Sequence, residues 1–102
     1  MYIENISARD LRQYVNDSRY EIIDLRDFRE FRRSHVINAV HLDSDNIISG
    51  DLSKITKRSV ILYCDRGGES IRMAKILASR GYDVKNVIGG FFEIKNFTDL
   101  IG

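Results

Sequence analysis

The run Ser59-Val60-Ile61-Leu62-Tyr63, followed at once by Cys64, the loop Asp65-Arg66-Gly67-Gly68-Glu69 and a helical pattern, restricts the fold more than any other segment. The run is apolar and β-branched and reads as a buried strand. Over residues 70–80 the periodicity becomes helical. Ile71, Ala74, Leu77 and Ala78 form one stripe, while Arg72, Lys75 and Arg80 lie elsewhere and face water. Gly81 suits a left-handed C-terminal cap. The same alternation runs through the rest of the chain. Tyr2-Ile3 reads as a short first strand, and Ser7 as the cap of a helix over 8–15 that gathers Leu11, Tyr14 and Val15 on one face. Asn16-Asp17-Ser18 is a turn before a strand over 20–25. Asp27 is placed to cap a short helix in which Phe28 and Phe31 share a face. Residues 39–42 and 84–88 read as strands, the latter ended by Gly89-Gly90, and 91–97 as a last short helix. Residues 43–55 have no single reading, with Ile47, Ile48 and Leu52 as anchors. Alternating strands and helices predict an α/β layered fold with a mainly parallel sheet. In such sheets ligands bind beyond the carboxyl ends of the strands, where Cys64 stands.

A chain of 102 residues has room for one core, and 1–102 is read as a single domain. Hydrophobic residues at 43% against 30% charged mark an ordered, globular chain. A formal net charge of +1 gives no electrostatic case for nucleic acid or an anionic membrane. No apolar run approaches the length of a spanning helix, and residues 1–6 lack the basic-then-apolar order of a secretory signal. A single cysteine excludes an internal disulfide and fits a reducing cytoplasm, the expected location. With no proline, turns fall to Gly, Asn, Asp and Ser.

The order strand, cysteine, glycine loop, helix points backbone N–H groups and a helix N-terminus at the Cys64 sulfur. Such a setting favours a thiolate and cradles an anion, so Cys64 reads as a nucleophile rather than a small buried hydrophobe. Ser70 reads as a helix cap, since no histidine is adjacent in sequence to activate it. Arg66 is equally a solvated loop charge or an anion contact. Asp24 and Arg26, at a neighbouring strand end, are within reach of the site; the Asp24 carboxylate reads as an acceptor that holds nearby loops. The arginines 26, 29, 32 and 33, interleaved with Asp27 and Glu30, read as a solvated helix face. His35 and His41 have neither a cysteine partner nor helical i, i+4 spacing, so neither a metal nor any other cofactor is expected. No C-x-x-C redox pair and no phosphate loop of the Gly-Lys-Ser/Thr type is present.

Three ordered blocks carry a family resemblance. Ile23-Asp24-Leu25-Arg26, Arg29-Glu30-Phe31 and Ser34-His35-Val36-Ile37-Asn38-Ala39 are similar to a "D-V-R…E-F…G-H-I…G-A" stretch. Tyr63 to Ser70, followed by Ala74, Leu77, Gly81-Tyr82 and Val84, is similar to "Y-C-x-x-G-x-R-S…A…L…G-Y-x-V". Gly89-Gly90 closes the set. Together they resemble a single-domain rhodanese-like protein of the sulfurtransferase family. The resemblance implies three layers, with a central, mainly parallel five-stranded sheet flanked by helices. It also implies a cysteine that takes sulfane sulfur from thiosulfate or a persulfide and passes it to a thiol or cyanide. Cys64 is then the persulfide carrier. Asp65, Arg66, Gly67, Gly68, Glu69 and Ser70 form the substrate-binding loop, whose amides surround the sulfur and whose glycines supply positive φ. A protein sulfur acceptor is a further expected partner. The alternatives are a non-catalytic rhodanese-like binding or regulatory module and, less favoured, a phosphatase or arsenate reductase. The phosphatase chemistry wants C-x5-R, and that arginine position is Ser70 here.

Departures from the pattern bear on the donor. Glu69 stands where the family often has arginine, and with Asp65 it sets two carboxylates beside the sulfur, which disfavours the dianion thiosulfate. The tryptophan usual after Gly89-Gly90 is absent, leaving Phe91, Phe92 or Phe97 for its space, and Ser34 and Asn38 replace glycines.

Overall fold

The computed structural model describes residues 2–102. Five strands, β1 (Ile3–Ile6), β2 (Tyr20–Asp24), β3 (Val40–His41), β4 (Ser59–Tyr63) and β5 (Asp83–Val87), form one sheet in the order β1-β5-β4-β2-β3. Every pairing between them is parallel. Among the described residues the α-helices are α1 (Phe28–Arg33), α2 (Ser44–Ser49), α3 (Gly68–Ser79) and α4 (Gly90–Ile94), with 3₁₀ turns at Arg9–Gln13 and Thr98–Leu100. None is long and apolar enough to cross a membrane.

The apolar run of β4 lies in the centre of the sheet, and the two-residue period of a strand splits it between two cores. Val60, Leu62 and Cys64 join Ile23, Leu42, Ile47, Met73, Ala74 and Leu77 on the side of α2 and α3. Ile61 and Tyr63 join Ile22, Leu11, Val87, Ile94 and Leu100 on the other side. Each fully buried aliphatic side chain contributes about 1.5–3 kcal/mol relative to exposure, so the two faces hold the sheet between helical layers. The expected three-layer α/β fold with a five-stranded parallel sheet is the one observed.

Local boundaries differ from the expectations in instructive ways. β1 runs to Ile6 instead of stopping at Ile3, because its polar residues pair across to β5. The Lys85 ammonium donates to Glu4 at 2.8 Å and the Asn86 amide to Asn5 at 3.1 Å, each opposite its register partner. Such pairs hide an edge strand from any search for apolar runs. The helix expected over 8–15 is a shorter 3₁₀ turn, closed by Ser7 Oγ accepting the Asp10 N–H at 3.2 Å. Asp27 caps α1 as expected, taking the Arg29 N–H at 2.7 Å. The undecided stretch 43–55 contains α2, which buries Ile47 and stops at Gly50 with φ +88°. α3 starts two residues before the expected position, and its buried stripe includes Met73 rather than Ile71. Asn38, standing where glycine is usual, has φ +68°, and its side-chain amide donates to the Val15 carbonyl at 2.6 Å. Asparagine tolerates this left-handed conformation better than most residues.

Near the carboxyl ends of β2 and β4 the second core contains a polar knot. Tyr63 is completely buried. Its hydroxyl donates to Asp24 Oδ2 at 2.6 Å and accepts the Val36 N–H at 3.1 Å. Burial, then the adjacent Asp24 carboxylate, raises the Tyr63 pKa well above its ordinary value of 10.0. Removing the hydroxyl in Tyr63→Phe leaves the Val36 N–H and one Asp24 oxygen short of a partner, and is expected to lower the unfolding free energy by about 1–3 kcal/mol in urea titrations. The sign of the alkaline effect follows from linkage. Above about pH 10 the unfolded Tyr63 ionises while the folded one keeps its proton, so wild-type stability falls as pH rises. The wild-type-to-variant stability gap should therefore narrow above that pH; a constant gap would show that Tyr63 titrates alike in both states.

Candidate functional site

β4 delivers Cys64 to the carboxyl edge of the sheet, at 5% exposure. Asp65 and Arg66 lead to Gly67, which has φ +105° and occupies the N-cap of α3. A glycine cap has no side chain to accept the orphan N–H groups of the first turn. The sulfur takes that role. Cys64 Sγ accepts the Gly67 N–H at 3.1 Å and the Ser70 N–H at 3.3 Å. Two amide donors and the positive end of a 12-residue helix form a setting that stabilises negative charge on sulfur.

The loop is braced from behind by Gly89 and Gly90. The Phe91 N–H donates to the Cys64 carbonyl at 2.8 Å and the Phe92 N–H to the Asp65 carbonyl at 2.9 Å, so the loop backbone caps α4. Gly90, with φ +59°, comes so close that a Cβ there would sit 2.5 Å from the Cys64 carbonyl oxygen. Gly67 approaches the same segment, with the Gly89 nitrogen 3.2 Å from the position its Cβ would take. Gly68 is different: it is helical, and a Cβ would meet nothing within 4 Å. Of the two loop glycines expected to supply positive φ, only Gly67 does so, because the chain is already helical at Gly68.

Ser70 is not the helix cap expected of it. It lies inside the first turn, fully buried, and its hydroxyl donates to Asn86 Oδ1 at 2.6 Å. Asn86 in turn donates to Asn5 on the edge strand. Neither asparagine announces itself in the sequence; their opposition across parallel β1 and β5 is a product of strand order.

Arg26 also departs from expectation. It leaves the arginine-rich helix face to Arg29, Arg32 and Arg33, and its own side chain is buried. It donates from Nη2 to Asp24 at 2.9 Å and to the Ser34 carbonyl, and the Phe91 ring centroid lies 3.8 Å from its guanidinium carbon. Burial acts against its charge, but the hydrogen bonds and attraction of Asp24 outweigh that, and the net pKa shift is upward. Asp24 also accepts the Arg26 backbone N–H at 2.8 Å, so it organises the strand end as expected. Of the three phenylalanines expected near this turn, Phe91 stacks at 6.1 Å on Tyr63 as well as on Arg26.

A cleft of about 340 Å³ opens over the sulfur, lined by Leu25, Arg26, Cys64, Asp65, Arg66, Gly68 and Glu69. The acidity of this mouth is moderated on one side, because Glu69 pairs with Arg72 at 2.7 Å. Arg66 stacks on Phe92, its guanidinium carbon 4.2 Å from the ring centroid. A slightly larger cleft at the opposite end of the sheet, beside Val15, Tyr20 and Lys57, contains no nucleophilic thiol or histidine. The two histidines are engaged elsewhere: His35 Nδ1 lies 2.8 Å from the Phe31 carbonyl and His41 Nε2 2.7 Å from the Arg26 carbonyl, with Phe31 against both rings. Among the described residues no group of three His, Cys, Asp or Glu converges as metal ligands do.

Comparison with known proteins follows the same lines. The family model of the rhodanese-like domain matches residues 7–97. The reduced CoADR-RHD protein of Bacillus anthracis superposes with a TM-score of 0.83 at 22% identity, covering 97% of this chain and 18% of that one. A rhodanese-related protein of Thermoplasma volcanium gives 0.77 at 22% identity, with 91% of each chain covered. A rhodanese-like domain protein of Staphylococcus aureus gives 0.76 at 25% identity, over 89% of this chain and 90% of that one. This chain thus spans less than a fifth of the first protein and about nine-tenths of the other two.

The brace yields a paired test. Gly90→Ala forces a Cβ against the Cys64 and Asp65 backbone and is expected to cost about 1–3 kcal/mol in chemical denaturation while altering the rate at which iodoacetamide alkylates Cys64. Gly68→Ala, in open helical space, should be neutral or stabilising by about 0.5–1 kcal/mol with little change in alkylation. Equal effects of the two substitutions would mean that the close approach of Gly90 does not shape the loop.

Proposed function

The chain belongs to the rhodanese-like domain family, and from that membership we propose that it is a sulfurtransferase that carries sulfane sulfur on Cys64. The observation that carries this reading is the position of Sγ, which faces an open cleft while accepting the Gly67 and Ser70 amides. The family also contains members without catalysis, so this geometry, rather than membership alone, is the argument.

In the first step the Cys64 thiolate attacks the outer sulfur of a persulfide or of thiosulfate. The new Sγ–S bond forms as the donor's S–S bond breaks, and a thiolate or sulfite leaves with the electron pair. In the second step an acceptor thiolate, or cyanide, attacks the terminal sulfur and Cys64 leaves as thiolate. The acceptor becomes a persulfide or thiocyanate. One sulfur atom moves at each step. Cys64 is oxidised to the persulfide as the donor's S–S bond is reduced, and returns to the thiolate on transfer to the acceptor. The cycle leaves the protein unchanged and calls for no separate oxidant or reductant. The amides of Gly67 and Ser70 hold the anionic sulfur before attack and after release, and the helix end stabilises the same charge. Leu25 gives the cleft an apolar wall beside the sulfur.

Phosphoryl transfer fits less well. It requires a guanidinium gripping three oxygens of the transferred group. Ser70 occupies that arginine's place in the motif and points to Asn86, and the nearby Arg72 pairs with Glu69.

Intact-protein mass spectrometry decides the reading. After exposure to thiosulfate or an organic persulfide, the wild-type chain should gain the mass of one sulfur atom, and Cys64→Ala should gain none. No gain with any sulfane donor would exclude the sulfurtransferase and favour the non-catalytic module. Glu69→Arg replaces a mouth carboxylate by a cation, and sulfur loading from thiosulfate should be faster by about tenfold, the effect of roughly 1.4 kcal/mol. An unchanged or slower rate would mean that the acid does not limit that donor.

A further inference from the structure

Beside the cleft over Cys64 lies a second one of about 210 Å³, whose lining includes Glu30, Arg33, Arg66, Phe92 and Lys95. The two share Arg26, Asp65 and Arg66, so they adjoin, the second lying on the side of α4 and the end of α1. We propose that this second cleft binds the anionic group of a small organic thiol or persulfide whose negative charge lies several bonds from its sulfur. The proposal rests on the persulfide reading of Cys64 and assigns the class of substrate.

The distribution of cations carries it. Arg33, Arg66 and Lys95 have no carboxylate within ion-pair distance among the described residues. Two of them lie against one exposed aromatic ring, Arg66 at 4.2 Å and Lys95 at 4.9 Å from the Phe92 centroid. The cleft's carboxylates do not cancel them. Glu30 is drawn toward Arg26 at 3.8 Å, and Asp65 lies on the wall shared with the sulfur's cleft.

Directly over the sulfur the balance is different. Arg26 is committed to Asp24 and the Ser34 carbonyl, Glu69 and Asp65 are both acidic, and among the described residues Arg66 is the one cation of that wall without a carboxylate partner. A compact dianion such as thiosulfate, with its charge on the transferred sulfur and on oxygens two bonds from it, therefore meets little free positive charge. A longer donor can place its sulfur at Cys64 and its carboxylate or phosphate among Arg33, Arg66 and Lys95. The separation of sulfur from charge becomes the feature selected.

The test compares two persulfides as donors to the full chain, with Cys64 loading followed by intact mass. One is glutathione persulfide, which has carboxylates remote from sulfur; the other is the persulfide of 2-mercaptoethanol, whose organic part carries no charge. At low salt the wild type should load faster from the charged donor, and added salt should reduce the ratio of the two rates. Lys95→Glu and Arg33→Glu, each checked by circular dichroism for an intact fold, should lower that ratio by about tenfold, equivalent to roughly 1.4 kcal/mol of lost attraction. A ratio unaffected by both substitutions and by salt would overturn the anion subsite while leaving the persulfide chemistry in place. Failure of the wild type to load from either donor would instead overturn the reading of Cys64 on which the subsite depends.

Discussion

The structure turns on a helix whose N-terminal cap is a sulfur atom. Gly67 leaves the first turn of α3 without a capping side chain, and Cys64 Sγ supplies the missing acceptor for two N–H groups. The same arrangement serves stability and reactivity. The helix end needs an acceptor there, and a sulfur anion is a better acceptor than a thiol. The backbone on the other side of Cys64 is equally committed, since its carbonyl and that of Asp65 cap α4. One short loop thus terminates two helices, α3 through the Cys64 sulfur and α4 through the Cys64 and Asp65 carbonyls.

A second constraint is the burial of Asp24, Tyr63 and Arg26 beneath this loop. A carboxylate and a guanidinium removed from water are tolerable only when their hydrogen-bonding capacity is filled. Here the phenol, the Val36 amide, the Ser34 carbonyl and the face of Phe91 complete the set. The electrostatic consequence reaches the cleft. Arg26, the cation nearest in sequence to the strand end, is consumed by structure, and free positive charge is displaced toward Phe92, Arg66, Lys95 and Arg33.

Much of the fold was legible because its decisive elements are strongly patterned. The uninterrupted apolar character of β4 requires burial on both faces, and the alternation of such runs with helical stripes leaves a parallel layered sheet as the economical solution. Local pattern hides the elements whose polar residues pair across a long sequence separation. Glu4 and Asn5 looked unlike strand until Lys85 and Asn86 came opposite them. Arg26 looked like its neighbours Arg29, Arg32 and Arg33, because nothing in local spacing distinguishes a guanidinium that folds back onto Asp24 from one that faces water. Gly68 looked equivalent to Gly67, although only the latter turns the chain.

Sequence alone determined the fold class, the position of Cys64 at a strand end and the presence of a glycine loop ahead of a helix, because these follow from local periodicity and from the conformational freedom of single residues. Tertiary structure decided which atoms face the sulfur, which glycine must remain glycine, and which arginines stay free to meet a ligand. Those outcomes depend on segments far apart in the chain, β1 against β5 and the Gly89-Gly90 turn against the Cys64 loop, whose approach is set by how the two cores pack on the sheet. The lone cysteine was visible from the start; the charge landscape around it came into being only when the chain closed on itself.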